Sequence, residues 1–143
     1  MVERDIHNLV RILLSSSPTT IKDFEICILP HASTKAEAQQ WLDNILASAF
    51  ENYKKSYEGD EKSLEETWKT AVAPKFVLVP DPDRSAAEAY GVGTTASGSD
   101  RWATHGACWV DAEGVVRRYE KAETAHFEFD WKAGLQALGI NVA

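Results

Sequence analysis

The chain has 143 residues, 44% of them hydrophobic and 26% charged, which is enough for one domain with a buried core. A net charge of -7 with scattered Lys and Arg argues against nucleic-acid binding, which needs basic side chains clustered on one face. No stretch approaches the ~20 apolar residues of a membrane span.

Residues 2 to 15 read as an amphipathic helix. Val2, Ile6, Leu9, Val10 and Leu13 recur at helical spacing, with Glu3, Arg4, His7, Asn8 and Arg11 on the other side. Ser15-Ser16-Ser17-Pro18 ends it, because Pro cannot continue the hydrogen-bond ladder. The apolar, β-branched run 24–29 stops at Pro30 and reads as a buried parallel strand. Thr34-Lys35-Ala36-Glu37 is a capping box that opens a second helix, with Ala38, Trp41, Leu42, Ile45 and Ala49 as its apolar stripe. Glu58-Gly59-Asp60-Glu61 breaks that pattern. A third helix begins at Ser63, turns Leu64, Trp68, Ala71 and Val72 inward, and stops at Pro74.

Residues 76 to 79 make the second strand. Asp83 or Ser85 caps a short helix that ends at Tyr90-Gly91. Residues 93 to 104, rich in Gly, Ser and Thr, form a loop long enough to be functional. Runs 107–110 and 115–119 make a hairpin across Asp111-Ala112-Glu113-Gly114. Phe127, Trp131, Leu135 and Leu138 mark a final helix with Gly139 as its stop. No repeat or boundary interrupts the chain, so residues 1–143 are read as a single domain.

Strands alternating with helices imply an α/β fold with a parallel sheet, and the hairpin adds an antiparallel edge. Three stretches resemble the second half of a peroxiredoxin, of the alkyl hydroperoxide reductase/thiol-specific antioxidant family. They are Phe76-Val77-Leu78-Val79-Pro80-Asp81-Pro82-Asp83, Ala89-Tyr90-Gly91-Val92, and Ala107-Cys108-Trp109-Val110-Asp111 running on to Gly114-Val115-Val116. The likeness covers 76–140 and, in outline, 2–30, and the segment 46–72 reads as an insertion. It implies a thioredoxin-like (peroxiredoxin-like) sheet with helices on both faces and with the first core strand missing. The family's peroxidatic cysteine is missing with it, because Met1 falls inside the segment that matches the cysteine-bearing helix. In the family that strand lies between those matching 24–29 and 107–110. A buried backbone group left unpaired costs roughly 1–3 kcal/mol. The flanking strands are therefore expected to pair directly or to be covered by a partner, most simply in a homodimer.

Cys27 and Cys108 lie within strands, away from the helix N-termini that stabilise a thiolate. They read as buried small hydrophobes, or as a redox pair if their strands are neighbours. Without a signal-like start, free thiols point to a reducing, cytoplasmic setting. His105 falls where the resemblance places the family's peroxide-polarising arginine, in His105-Gly106-Ala107-Cys108-Trp109-Val110-Asp111. An imidazole there suits acid–base chemistry, and the alternative is a capped histidine at a strand end. Arg101 just upstream can replace the lost cation.

His31 follows the first strand at its carboxyl end, where open α/β sheets bind ligands, or is a solvated loop histidine. Asp81 ends the second strand, within a run that also reads as turn and cap. Trp102, Tyr90, Cys108 and Asp81 are the candidate substrate pocket, with Trp109 and Tyr119 as further aromatic material. His31, His105 and His126 show no metal-ligand spacing, and Gly91-Val92-Gly93 is not a phosphate loop, so no metal and no cofactor are expected.

These residues lead to a redoxin scaffold repurposed as a cofactor-independent acid–base enzyme. Its expected chemistry is of the isomerase, dehydratase or cyclase type, on a small apolar organic molecule. His105, His31 and Arg101 are its expected catalytic groups. The expected partners are that molecule and a second copy of the chain, with neither nucleic acid nor membrane. The alternatives are a thiol peroxidase-like redox protein using Cys27 or Cys108, and a non-catalytic dimeric interaction module.

Overall fold

A computed structural model describes residues 2–30, 34–81, 83, 85–90, 106–122 and 127–143. Helix α1 (Val2–Leu14) buries Ile6, Leu9, Val10, Leu13 and Leu14. It packs on α2 (Lys35–Ser56), whose stripe Ala38, Leu42, Ile45, Leu46, Ala49 and Phe50 is also buried. Thr34 Oγ1 accepts from Glu37 N at 3.2 Å, so Thr34 caps the start of α2 as predicted. Each fully buried aliphatic side chain in this interface contributes about 1.5–3 kcal/mol.

Helix α3 (Glu61–Thr67) is capped by Asp60, the residue after Gly59 and three before the Ser63 start expected from the sequence. It continues into a π-helical turn over Trp68–Val72 and a 3-10 turn over Ala73–Lys75, where Pro74 ends the helical path. The π turn keeps Trp68 stacked on Phe50, with centroids 4.7 Å apart and planes 3° from parallel. Strand β1 (Ile26–Ile28) pairs in parallel with β2 (Phe76–Leu78), in the register Ile26↔Phe76, Cys27↔Val77 and Ile28↔Leu78. Ile26, Ile28 and Leu78 pack against the α1–α2 core, together with Phe24 and Trp41.

After the short α4 (Ser85–Ala89), strand β3 (Gly106–Val110) pairs antiparallel with β4 (Val116–Lys121). Asp111 builds the turn. Its carboxylate accepts from Glu113 N and Val115 N, both at 2.9 Å, and meets Arg117 Nε at 2.7 Å. Gly114 takes φ +82° there, a backbone state other residues rarely adopt. Helix α5 (Trp131–Ala137) is capped by Asp130 and ends at Gly139, φ +80°, with Ile140 N donating to Leu135 O at 3.0 Å.

The architecture is mixed α/β, with the predicted parallel pair and the predicted hairpin both formed. The single sheet expected from the sequence is not formed among the described residues: β1–β2 and β3–β4 are separate two-stranded sheets, and the strands 26–28 and 106–110 do not pair. The physical reason lies in the packing. The β1–β2 pair belongs to the α1–α2 core, whereas the hairpin packs on α5 around its own cluster of Trp109, Ala122 and Phe129. Trp131 packs against both clusters, and Arg4 of α1 donates to Phe127 O, so the two meet at the C-terminal segment.

A second correction concerns Cys27. It is exposed, not buried, because β1 in a two-stranded sheet has a face that no element among the described residues covers, and its side chains alternate accordingly. No helix among the described residues is long and apolar enough to cross a membrane.

Candidate functional site

Cys108 and Tyr119 face each other across the hairpin, one directly opposite the other in the β3–β4 register. Strand alternation puts them on the face away from Trp109, which is 5% exposed in the hairpin cluster. With Val116, Ala89 and Tyr90 they line an open depression of about 320 Å³. Tyr90 reaches it from the end of α4, where its N–H donates to Ala86 O at 3.1 Å. Tyr90, Val116 and Tyr119 are all exposed large side chains. Burial pushes the Cys108 thiol up, so it stays protonated at neutral pH and acts as apolar wall rather than nucleophile.

The wall is therefore apolar, with two phenol groups at its rim. It is a shallow, open surface of apolar contacts with two hydroxyls at its edge. No carboxylate, imidazole or ammonium lines it among the described residues.

The structure brings together Tyr90 and Cys108 of the sequence-predicted pocket. Asp81 stands elsewhere: its Oδ1 accepts from Ala86 N at 3.0 Å and caps α4, as the turn reading of that run implies. Asp83 does the same for Ser85 N at 3.1 Å, and this bond holds its carboxyl below the ordinary range. His105, His31, Arg101 and Trp102 lie outside the described residues, as do His126 and the loop 93–104. In sequence His105 immediately precedes Gly106, the first residue of β3. Ala89 and Val116 were not singled out by sequence reasoning. Plain alternation puts residues 116 and 119 on opposite faces of β4; the register shift between Trp109 and Val110, which pairs Val110 with Val116, brings Val116 to the side of Tyr119, and nothing in the sequence announces that bulge.

Neither cysteine lies at the N-terminus of a helix: Cys27 is in β1 and Cys108 in β3. Among the described residues no group of three or more His, Cys, Asp or Glu could hold a metal ion. No protein-family model matches the chain, and no curated protein and no solved structure matches it either.

Proposed function

We propose that the chain binds a small apolar organic molecule between Tyr90 and the β3–β4 hairpin, and that it acts on that molecule as a cofactor-independent acid–base enzyme. The depression that joins Tyr90, Cys108, Val116 and Tyr119 carries the binding half of this reading. The acid–base half rests on the sequence alone, in which His105 immediately precedes Gly106, the first residue of β3. The peroxiredoxin-like scaffold suggested by the sequence matches in element order, a parallel β1–β2 pair followed by a helix, a hairpin and a terminal helix, and departs in its sheet, since β1–β2 and β3–β4 are separate.

The test is a titration of the 15N-labelled chain with toluene, cyclohexanone and phenol. Saturable amide shifts at Tyr90, Cys108, Val116 and Tyr119 are expected, and Cys108→Phe, which fills the depression, should abolish them. Shifts that never saturate, or that persist in Cys108→Phe, overturn the binding site. For any substrate found this way, His105→Ala should lower kcat by about 10²–10⁴-fold.

A second reading has its own observation. Val110, Val115, Val116 and Tyr119 are exposed together on the hairpin, apolar side chains that a second copy of the chain would bury. A homodimer through this face would also roof the depression.

A further inference from the structure

A second concavity, of about 230 Å³, lies between α1 and α2, far in sequence from the hairpin. His7, Asn8 and Arg11 line it from one face of α1. Asn52, Tyr53 and Ser56 line it from α2 at helical spacing. Its floor is Ala49, 3% exposed, whose small side chain leaves the space open. The walls belong to the best-packed part of the molecule, since Val10 and Leu13 of α1 and Leu42 of α2 are 0%, 0% and 1% exposed in the core cluster those helices share.

The polar groups are arranged as donors. Lys55 Nζ donates to Asn52 Oδ1 at 3.5 Å, which turns the amide nitrogen toward His7 Nδ1 at 3.3 Å. An Nδ1 that accepts from this amide places the ring proton on Nε2, leaving an N–H for another acceptor. Ser56 Oγ already donates to Tyr53 O at 3.2 Å, and Tyr53 Oη is 3.4 Å from Ser15 Oγ. The Arg11 guanidinium has no ion-pair or hydrogen-bond partner among the described residues. Among the described residues no carboxylate lines the groove, and Glu51 on α2 is held by Lys54 at 2.8 Å. In a chain with 22 acidic and 15 basic residues, an Arg and an imidazole in a groove with no lining carboxylate among the described residues are a local reversal of charge, with Glu3 one helical turn before His7 on α1 and outside the lining.

We infer that this groove binds a small organic oxyanion, a phosphate or carboxylate group on a compact body. The Arg11 fork matches two oxygens of such a group, and His7 Nε2 and the Asn52 amide lie within the same concavity. The volume equals roughly eight waters at ~30 Å³ each, room for the oxyanion and a few further atoms against the Tyr53 ring. This site is independent of the depression beside Tyr90, and neither proposal needs the other.

Phenyl phosphate, inorganic phosphate, benzoate and the uncharged benzyl alcohol are titrated into the 15N-labelled full chain at low salt, which spares exposed ion pairs from screening. Phenyl phosphate or benzoate is expected to give saturable shifts at His7, Arg11, Asn52 and Ser56, with a Kd on the order of 1 mM or tighter. Whichever binds more tightly identifies the head group, and binding of inorganic phosphate shows that the oxyanion alone suffices. Arg11→Gln, at an exposed position, should weaken binding at least about tenfold with the unfolding midpoint unchanged. Asn52→Asp, also exposed and of the same shape, should abolish it by placing a carboxylate in the groove. Absence of saturable shifts from every anion overturns the site. So does equal binding of benzyl alcohol, or an affinity unchanged in both Arg11→Gln and Asn52→Asp.

Discussion

The indole of Trp109 occupies the space that a side chain on Gly134 would need: an ideal Cβ there would lie 1.8 Å from Trp109 Cε2 and 2.0 Å from Nε1. The hairpin and α5 can approach this closely only because residue 134 is glycine. Gly134→Ala should therefore destabilise, although alanine favours a helix over glycine by about 1 kcal/mol. Trp109 cannot swing aside cheaply, being 5% exposed and in ring contact with Trp131 at 5.5 Å. Overpacking of this kind costs about 1–3 kcal/mol, readable as a lower urea midpoint. Trp109→Leu in the Gly134→Ala background should recover part of that loss. A Gly134→Ala chain as stable as the parent would show that the hairpin and α5 do not pack in this way.

The two thiols should be distinguishable. Cys27 is exposed, while Cys108 is half-buried with its thiol pushed up by burial. At pH 7.5 iodoacetamide should alkylate Cys27 first, because the thiolate is the reactive form and access is required. A molecule bound beside Tyr90 should slow Cys108 further and leave Cys27 unaffected. Peroxide consumption with a thiol reductant should be negligible in the parent chain and unchanged by Cys27→Ser or Cys108→Ser. Faster alkylation of Cys108 than of Cys27 would contradict the placement of both strands.

The exposed hairpin face sets the expected assembly. Sedimentation at micromolar concentration should give about twice the 15.9 kDa of one chain. Val116→Lys, at an exposed position, should return the chain to a monomer while leaving its circular dichroism intact. A parent chain that sediments as a monomer leaves Val110, Val115 and Val116 as solvated side chains and removes the dimer reading.

The features legible in the sequence are those fixed within a few residues of themselves. Thr34 and Glu37 announce the start of α2, Gly139 the end of α5, and Asp111 with Gly114 the hairpin turn, because each bond involved spans at most four or five positions. The stripe of α1 was readable for the same reason. Pairing between distant segments was not. Nothing near residues 26–28 or 106–110 says that each joins a different hydrophobic cluster, and the exposure of Cys27 follows from that division. Gly134 reads in sequence as a weak spot in a helix, and only the approach of Trp109 explains it. The pocket was legible through Tyr90 and Cys108, which flank recognisable motifs. The α1–α2 groove was not, because His7 and Asn52 are 45 positions apart.

Asp5 gives the chain a pH dependence whose direction can be worked out. It lies on the α1 face turned toward Trp131, only 5% exposed, and burial raises its carboxyl from 3.8 to about 6. The Arg4 guanidinium and the Trp131 indole N–H pull it back down, while Glu128 adds to the rise. Because the folded chain holds this proton more tightly than the unfolded chain, the folded state binds more protons between about pH 4 and pH 6. In that window the Asp5 contribution to stability falls as pH rises, and above it the cost of an ionised, buried carboxylate is fully present. The shift corresponds to about 3 kcal/mol at the usual 1.36 kcal/mol per pH unit, an upper figure because Arg4 can relax toward the charge. Asp5→Asn removes the titration and keeps the shape. It should stabilise the chain by about 1–3 kcal/mol at pH 7.5 and by much less at pH 4, where Asp5 is already protonated when folded. Urea unfolding of both chains at the two pH values measures this difference. A gain from Asp5→Asn that is equal at pH 4 and pH 7.5 would mean that Asp5 does not titrate in this range, and a loss at pH 7.5 would mean that its charge is held in place by Arg4.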